Sequence, residues 1–245
     1  MDFSGRTALV TGASRGIGRA VAARLAEAGI DVALGFEHEG NAAEEEAERI
    51  RQMGRRAIAL GANLSDPAQV VSLVDRAEAA LGPIDILVSN AGIAPRQTLE
   101  EITLEDWERV MQINLRPSFL LAQCLAPGMR RRGWGRIILL SSVAAFTGGI
   151  IGPHYATSKA ALLGLTHALA GPLAAHGVTV NAVAPALIET DMMPADEQGR
   201  QQIAGRIPVG RLGRPEEVAE VVLSLVMNPY ITSQTLMVDG GIYPR

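Results

Sequence analysis

Seven short apolar runs, several of them rich in β-branched residues, alternate along the chain with longer stretches whose apolar positions keep a helical period. The runs cover residues 6–11, 30–36, 56–62, 84–89, 136–142, 178–184 and 234–239. They are apolar nearly throughout and do not alternate, which suits strands of a parallel sheet covered by helices on both faces. Right-handed crossovers through the intervening helices then predict an α/β fold, a Rossmann-like, doubly wound parallel sheet. No internal repeat, low-complexity tract or linker divides residues 1–245, so a single domain is expected. Residues 185–208 keep no clear period and are long enough to form a loop or lid over a site.

Composition narrows the classes of function. With 48% hydrophobic and 20% charged residues in a chain of 245, a full-sized core is available and disorder is excluded. The net charge of −4 offers no general attraction to nucleic acid or to anionic lipid, so a small-molecule partner is expected. The N-terminal MDFSGR lacks a basic region leading into an apolar stretch, and no apolar run approaches the ~18 residues of a membrane span, so a cytoplasmic location is expected. Cys124 is the only cysteine, which rules out an internal disulfide. His38, His154, His167 and His176 show no zinc-type spacing, and no metal is expected.

Two motifs carry chemistry. After the first strand run comes Thr11-Gly12-Ala13-Ser14-Arg15-Gly16-Ile17-Gly18, followed at once by a helical pattern. Glycines in that strand-turn-helix context let backbone amides approach a pyrophosphate, and the helix N-terminus stabilises its charge. A lone glycine cluster also serves ordinary turns, so the second motif matters more. Tyr155 and Lys159 are four residues apart in a helical stretch and share a face, and Lys159 is the only lysine among 22 basic residues. An ammonium beside a phenol favours phenolate and is expected to lower the tyrosine pKa from its usual ~10.

With these motifs the chain resembles the short-chain dehydrogenase/reductase family over nearly its whole length. The glycine motif, Asn90-Ala91-Gly92, Asn114, Ser142 placed 13 residues before Tyr155, and Tyr155-x3-Lys159 occur in the family's order. The resemblance implies a catalytic set of Asn114, Ser142, Tyr155 and Lys159. Tyr155 exchanges a proton with the substrate oxygen, Ser142 orients that oxygen in preference to Ser141, Lys159 holds the nicotinamide ribose, and Asn114 holds a water in a proton relay. It also assigns Gly12, Ser14, Arg15, Gly16, Ile17, Gly18, Phe36, Glu37, Asn63, Leu64, Asn90, Ala91, Gly92, Tyr155, Lys159, Pro185, Ile188 and Thr190 to the cofactor. Two departures stand out. Ala186 replaces a usual glycine, which costs energy if its φ must be positive. Gly171-Pro172 interrupts the helix that carries Tyr155, where a kink is expected.

Phe36 stands where NAD-binding members place an acid, and Arg15 sits where NADP-binding members place a phosphate partner. NADP(H) is therefore favoured over NAD(H), against the carboxylate of Glu37. The strongest resemblance is to 3-oxoacyl-acyl-carrier-protein reductases, carried by VAPALIETDM at 183–192 and GRLGRPEEVA at 210–219. It implies a small-molecule or acyl-thioester substrate, an acyl-carrier protein as candidate partner, and a homotetramer with the C-terminal segment at an interface. Ser142, Ala144, Ile150, Tyr155, Met192 and Met193 are the candidate substrate pocket. Arg130, Arg131, Arg132 and Arg136 are a candidate docking cluster for an acidic carrier, and equally a helix end whose cations offset its dipole. A catabolic secondary-alcohol or cyclic-ketone dehydrogenase is the alternative function, and a non-catalytic nucleotide-binding module a more remote one.

Overall fold

A computed structural model describes residues 3–190, 199 and 204–243. Its strands are β1 (Thr7–Thr11), β2 (Asp31–Phe36), β3 (Ala57–Gly61), β4 (Ile86–Ser89), β5 (Gly135–Leu140), β6 (Val178–Pro185) and β7 (Thr235–Val238). Each starts and stops within two residues of the run that predicts it. They form one parallel sheet in the order β3-β2-β1-β4-β5-β6-β7. Successive strands step outward from β1 to β3, and β4 then returns to the other side of β1. The C-terminal ends of β1 and β4 therefore part around a crevice, where open α/β sheets bind ligands.

Helices α1 (Gly16–Glu27) and α2 (Gly40–Gln52) cover one face, together with α8 (Pro215–Met227). Helices α3 (Pro67–Leu81), α5 (Arg116–Arg132) and α7 (Pro153–Ala174) cover the other. The core on both sides is aliphatic, and β1, β2, β4 and β5 are buried along nearly their whole length, as continuous apolar runs require. Helix α4 (Leu104–Asn114) packs on α5 and α7. Its start is secured by a capping box in which Thr103 and Asp106 satisfy each other's backbone N–H groups. It ends one residue before α5 because Pro117, early in α5, has no N–H for the preceding turn. A four-residue helix, α6 (Ala144–Thr147), leads from β5 toward α7.

On α7 the buried residues His154, Ser158, Leu162, Thr166, Ala170 and Leu173 recur at three- and four-residue intervals, and buried Lys159, beside Ser158 and three before Leu162, lies on the same core-facing stripe. The helix continues through Gly171-Pro172 to Ala174. Pro172 falls in the last turn, where a missing N–H costs one carbonyl its partner and breaks nothing downstream. Ala186 has no positive φ and donates its N–H to Val238 O at 3.0 Å, so the glycine replacement carries no backbone strain. Within the expected lid, Ile188 pairs with Gly213 in an isolated bridge, while Met192 and Met193 lie outside the described residues.

Candidate active site

The crevice at the ends of β1 and β4 is built by the glycine loop. Gly12 and Gly16 take φ of +64° and +53°, a region that disfavours any side chain. Gly18 is tighter still, since a Cβ there would stand 2.1 Å from Gly12 O. Asn90 locks the two strand ends together: its Nδ2 donates to Thr11 O at 2.9 Å and Gly12 O at 3.1 Å. The backbone N–H groups of Asn90 and Ala91 both donate to Thr11 Oγ1. The resulting groove has a volume of about 450 Å³, within the range of small-molecule and cofactor sites. Ser14, Arg15, Ile17, Phe36, Glu37 and Leu64 line it together with the glycine loop, Asn90-Ala91-Gly92 and Thr190. A groove floored by backbone that tolerates no Cβ fits the pyrophosphate of a dinucleotide.

A smaller inner cleft of about 120 Å³ shares Ile17, Asn90, Gly92, Ile93 and Thr190 with the groove and so adjoins it. Leu140, Ser141, Ser142, Tyr155, Lys159, Pro185, Ala186 and Ile188 complete its wall. Ser142 is the second residue after β5, and its Oγ accepts from Ala144 N at 3.1 Å while hydrogen-bonding the Tyr155 side chain. Lys159 Nζ donates to Leu140 O at 2.7 Å and lies 5.8 Å from the centre of the Tyr155 ring. Ser141 instead donates to the backbone oxygen of Lys159, which turns it away from the tyrosine.

Residues 6–201 match the short chain dehydrogenase family. The chain belongs to that family. Over 99% of both chains it is 42% identical to the 3-oxoacyl-[acyl-carrier-protein] reductase of Aquifex aeolicus. It is 38% identical to an L-rhamnose 1-dehydrogenase (NAD(P)(+)) of Sphingomonas sp., over 98% of this chain and 97% of the other. Among solved structures, a blue fluorescent protein from a metagenomic library, in complex with NADPH, superposes with a TM-score of 0.93 at 40% identity over the full length of both chains. This short-chain dehydrogenase is accordingly a nicotinamide-dependent oxidoreductase. Among the described residues no helix is long and apolar enough to cross a membrane.

The site of this short-chain dehydrogenase differs electrostatically from the sequence expectation. Burial raises the Tyr155 pKa above its ordinary value, and the Ser142 hydrogen bond opposes that only in part. The expected lowering by Lys159 is not seen, because the ammonium is committed to the Leu140 carbonyl and sits below the ring rather than at the hydroxyl. Burial also depresses the Lys159 pKa, from 10.5 to about 8. Below pH 8 the lysine is protonated in both folded and unfolded chains, and the fold bears the full desolvation cost. From pH 8 to 10.5 only the unfolded chain keeps the proton, so stability rises with pH. Lys159→Met is therefore expected to stabilise the cofactor-free protein at pH 7 by up to about 3 kcal/mol, less about 1 kcal/mol for the orphaned Leu140 carbonyl. Urea denaturation at pH 7 and pH 10 checks this. A gain of equal size at both would contradict burial as the cause.

The remaining predicted residues fall into three groups. Asn114 is buried and uses its side chain structurally: Oδ1 accepts from Ile93 N at 2.8 Å, and Nδ2 donates to Ile93 O at 3.0 Å and Ser158 Oγ at 3.1 Å. Only Gly92 separates it from Lys159, since a Cβ at Gly92 would meet Asn114 Oδ1 at 3.1 Å and Lys159 Nζ at 3.6 Å. Asn63 turns its side chain to Ser65 and leaves the groove wall to Ala62 and Leu64. Ala144 is buried against Gly149, while Ile150 is 71% exposed beyond the inner cleft.

The arginine cluster requires a correction. Arg130, Arg131 and Arg132 close α5, and Arg136 sits at the start of β5, whereas the site lies past the other end of that strand, about 20 Å away at ~3.3 Å per residue. Arg136 is buried, bonded to the carbonyls of Val226, Gly135 and Gly177, and stacked on Trp134. Arg132 pairs with Asp85. Within one chain these arginines do not rim the cleft. Residues that line the adjoining groove, and that motif reading missed, include Glu39, Arg109 and Ile113. Arg109 and Ile113 stand four apart on α4, a helical spacing that marks a shared face but not what it faces. Glu39 takes a left-handed φ of +61° at the start of α2, and its Oε1 meets Arg15 Nη1 at 2.8 Å.

Proposed function

We propose that residues 1–245 act as one catalytic domain that interconverts a carbonyl group and a secondary alcohol, and that the substrate is a 3-oxoacyl thioester of the acyl-carrier-protein type. The observation that carries this reading is the meeting of Ser142, Tyr155 and Lys159 on the inner cleft where it adjoins the glycine-lined groove. When bound, the nicotinamide supplies or accepts a hydride. Tyr155 delivers a proton to the substrate oxygen in reduction and removes it in oxidation. Ser142, already bonded to the Tyr155 hydroxyl, binds the same oxygen. Lys159, held by the Leu140 carbonyl beside the Tyr155 ring, binds the nicotinamide ribose. Asn114 positions the segment starting at Ile93 beside them. Gly12, Gly16 and Gly18 receive the pyrophosphate, Leu64, Asn90 and Ala91 the adenosine side, and Pro185, Ile188 and Thr190 the nicotinamide.

The test is a screen that follows nicotinamide absorbance with acetoacetyl-CoA, cyclic ketones, secondary alcohols and aldoses, each with both cofactors. Fastest turnover of the thioester is expected. Turnover confined to alcohols or sugars would favour the second reading, a secondary-alcohol dehydrogenase, which the 38% identity to an L-rhamnose 1-dehydrogenase supports. Tight cofactor binding without turnover of any compound would overturn both in favour of a nucleotide-binding module.

NADP(H) is the preferred cofactor in this reading, because Arg15 lies on the groove wall and no acid stands at Phe36. Glu39 opposes that preference, since a 2′-phosphate must compete with its carboxylate for Arg15. Glu39→Gln is expected to tighten NADPH binding roughly tenfold, about 1.4 kcal/mol, and to change NADH binding less than twofold. Fluorescence titration of the two reduced cofactors measures the ratio, and an unchanged ratio would remove Glu39 from cofactor choice. A homotetramer with the C-terminal segment at an interface belongs to the same reading, and the exposed Leu99, Leu104 and Phe119 offer further apolar surface for contact between copies.

A further inference from the structure

Two buried polar residues bracket Tyr155 on α7, His154 one position before it and Ser158 three positions after. Both lead to α4. At the C-terminal end of α4, Asn114 Nδ2 donates to Ser158 Oγ at 3.1 Å, and Ser158 Oγ donates to the backbone oxygen of Tyr155 at 2.7 Å. At the N-terminal end, Gln97 Nε2 donates to Asp106 Oδ2 at 3.0 Å, and Gln97 Oε1 faces His154 Nε2 at 3.0 Å. The hydrogen bonds from Thr103 and Gln97 hold the Asp106 carboxyl below its ordinary pKa, so it is an acceptor only. That sets the direction of the whole chain. Gln97 turns its NH₂ to Asp106 and its carbonyl to His154, and His154 must carry a proton on Nε2.

His154 is wholly buried, and its Nδ1 has no hydrogen-bond partner among the described residues. A buried polar atom left unsatisfied costs stability, so the ring is held for the sake of its other nitrogen. The backbone is joined at the same place. Gln97 N donates to Ile151 O at 2.9 Å. Gly152 takes a φ of +149°, and a Cβ there would lie 2.6 Å from Gln97 O and 2.9 Å from His154 Cε1. Residues 93–97, anchored by Asn114 at Ile93 and by Asp106 at Gln97, are thus fastened to the turn from which α7 starts.

We propose that His154, acting through Gln97 and Asp106, is a positioning residue that fixes the rim of residues 93–97 to the start of α7 and so places the Tyr155 hydroxyl in the cleft. This rests on the reading of Tyr155 as the proton donor. Breaking the tie lets the rim and the first turn of α7 move independently, so the hydroxyl loses its alignment while the cofactor groove keeps its walls.

His154→Leu and Gln97→Leu are each expected to lower kcat with acetoacetyl-CoA at least tenfold, with KM changed less and the cofactor Kd within twofold. The double variant should be no worse than either single one, because both remove one tie. His154→Gln, whose amide nitrogen stands where imidazole Nε2 does, should restore most of kcat. Hydrogen-deuterium exchange of the cofactor-bound protein is read in parallel. Residues 93–98 and 149–156 should exchange faster in both Leu variants and as in the wild type in His154→Gln. Unchanged kcat in His154→Leu, or a His154→Gln variant as impaired as His154→Leu, would overturn the proposal in favour of simple packing. Should acetoacetyl-CoA not be turned over, the substrate reading fails, and the exchange data still decide the tie: unaltered exchange in His154→Leu overturns it.

Discussion

Tyr155→Phe is expected to lower kcat by about 10³-fold or more while leaving cofactor affinity within twofold, because proton transfer by a positioned side chain is worth about 10²–10⁴-fold. Phenylalanine keeps the ring that lies over Lys159 and removes only the hydroxyl that bonds Ser142. Ser142 Oγ still accepts from Ala144 N, so the stability cost should stay near about 1 kcal/mol, the worth of one ordinary hydrogen bond. Steady-state kinetics with the best compound from the screen, beside a cofactor titration and a thermal melt, separate these effects. Retained turnover would exclude Tyr155 as the acid. A parallel loss of cofactor binding would show that the variant damages the groove and not the chemistry.

Gly18→Ala should act on the other half of the site. The added methyl would stand 2.1 Å from Gly12 O and 2.6 Å from Asn90 Nδ2, and the nearer atom is backbone that no rotamer change can clear. The glycine loop must then shift, at an overpacking cost of about 1–3 kcal/mol. Cofactor affinity should fall about 100-fold, equivalent to about 2.7 kcal/mol of lost binding, as the backbone donors leave the pyrophosphate. Gly164→Ala is the matched control, on an exposed face of α7 where a Cβ meets nothing within 4 Å. It should stabilise the protein by about 0.5–1 kcal/mol through helix propensity alone. Similar losses of cofactor affinity in both variants would refute the steric argument.

These outcomes also mark how far local sequence carries. Strand positions were readable because a strand buried on both faces must be apolar at every position, a constraint written into consecutive residues. The glycine loop and the Tyr155–Lys159 spacing were readable for the same reason, since a turn without Cβ atoms and a shared helix face are properties of a few neighbouring residues.

Other features depend on residues far apart in the chain. Glu39 meets Arg15 across 24 positions, and His154 meets Gln97 across 57, with no period linking either pair. The pKa of Tyr155 runs opposite to the sequence expectation because helical spacing puts Lys159 on the right face without saying which atom its ammonium will bond; the Leu140 carbonyl, supplied by a neighbouring strand, takes it. The arginines of 130–132 look like a rim in sequence, yet lie at the far end of β5 from the site, since a parallel strand carries the chain from the N-terminal end of the sheet to its C-terminal end. Local pattern sufficed for the elements and for chemistry held within one helix or turn. Sheet order and helix packing set the charge balance, the ties around Tyr155 and the walls of the groove, because burial and hydrogen bonding depend on which distant segments the fold brings into contact.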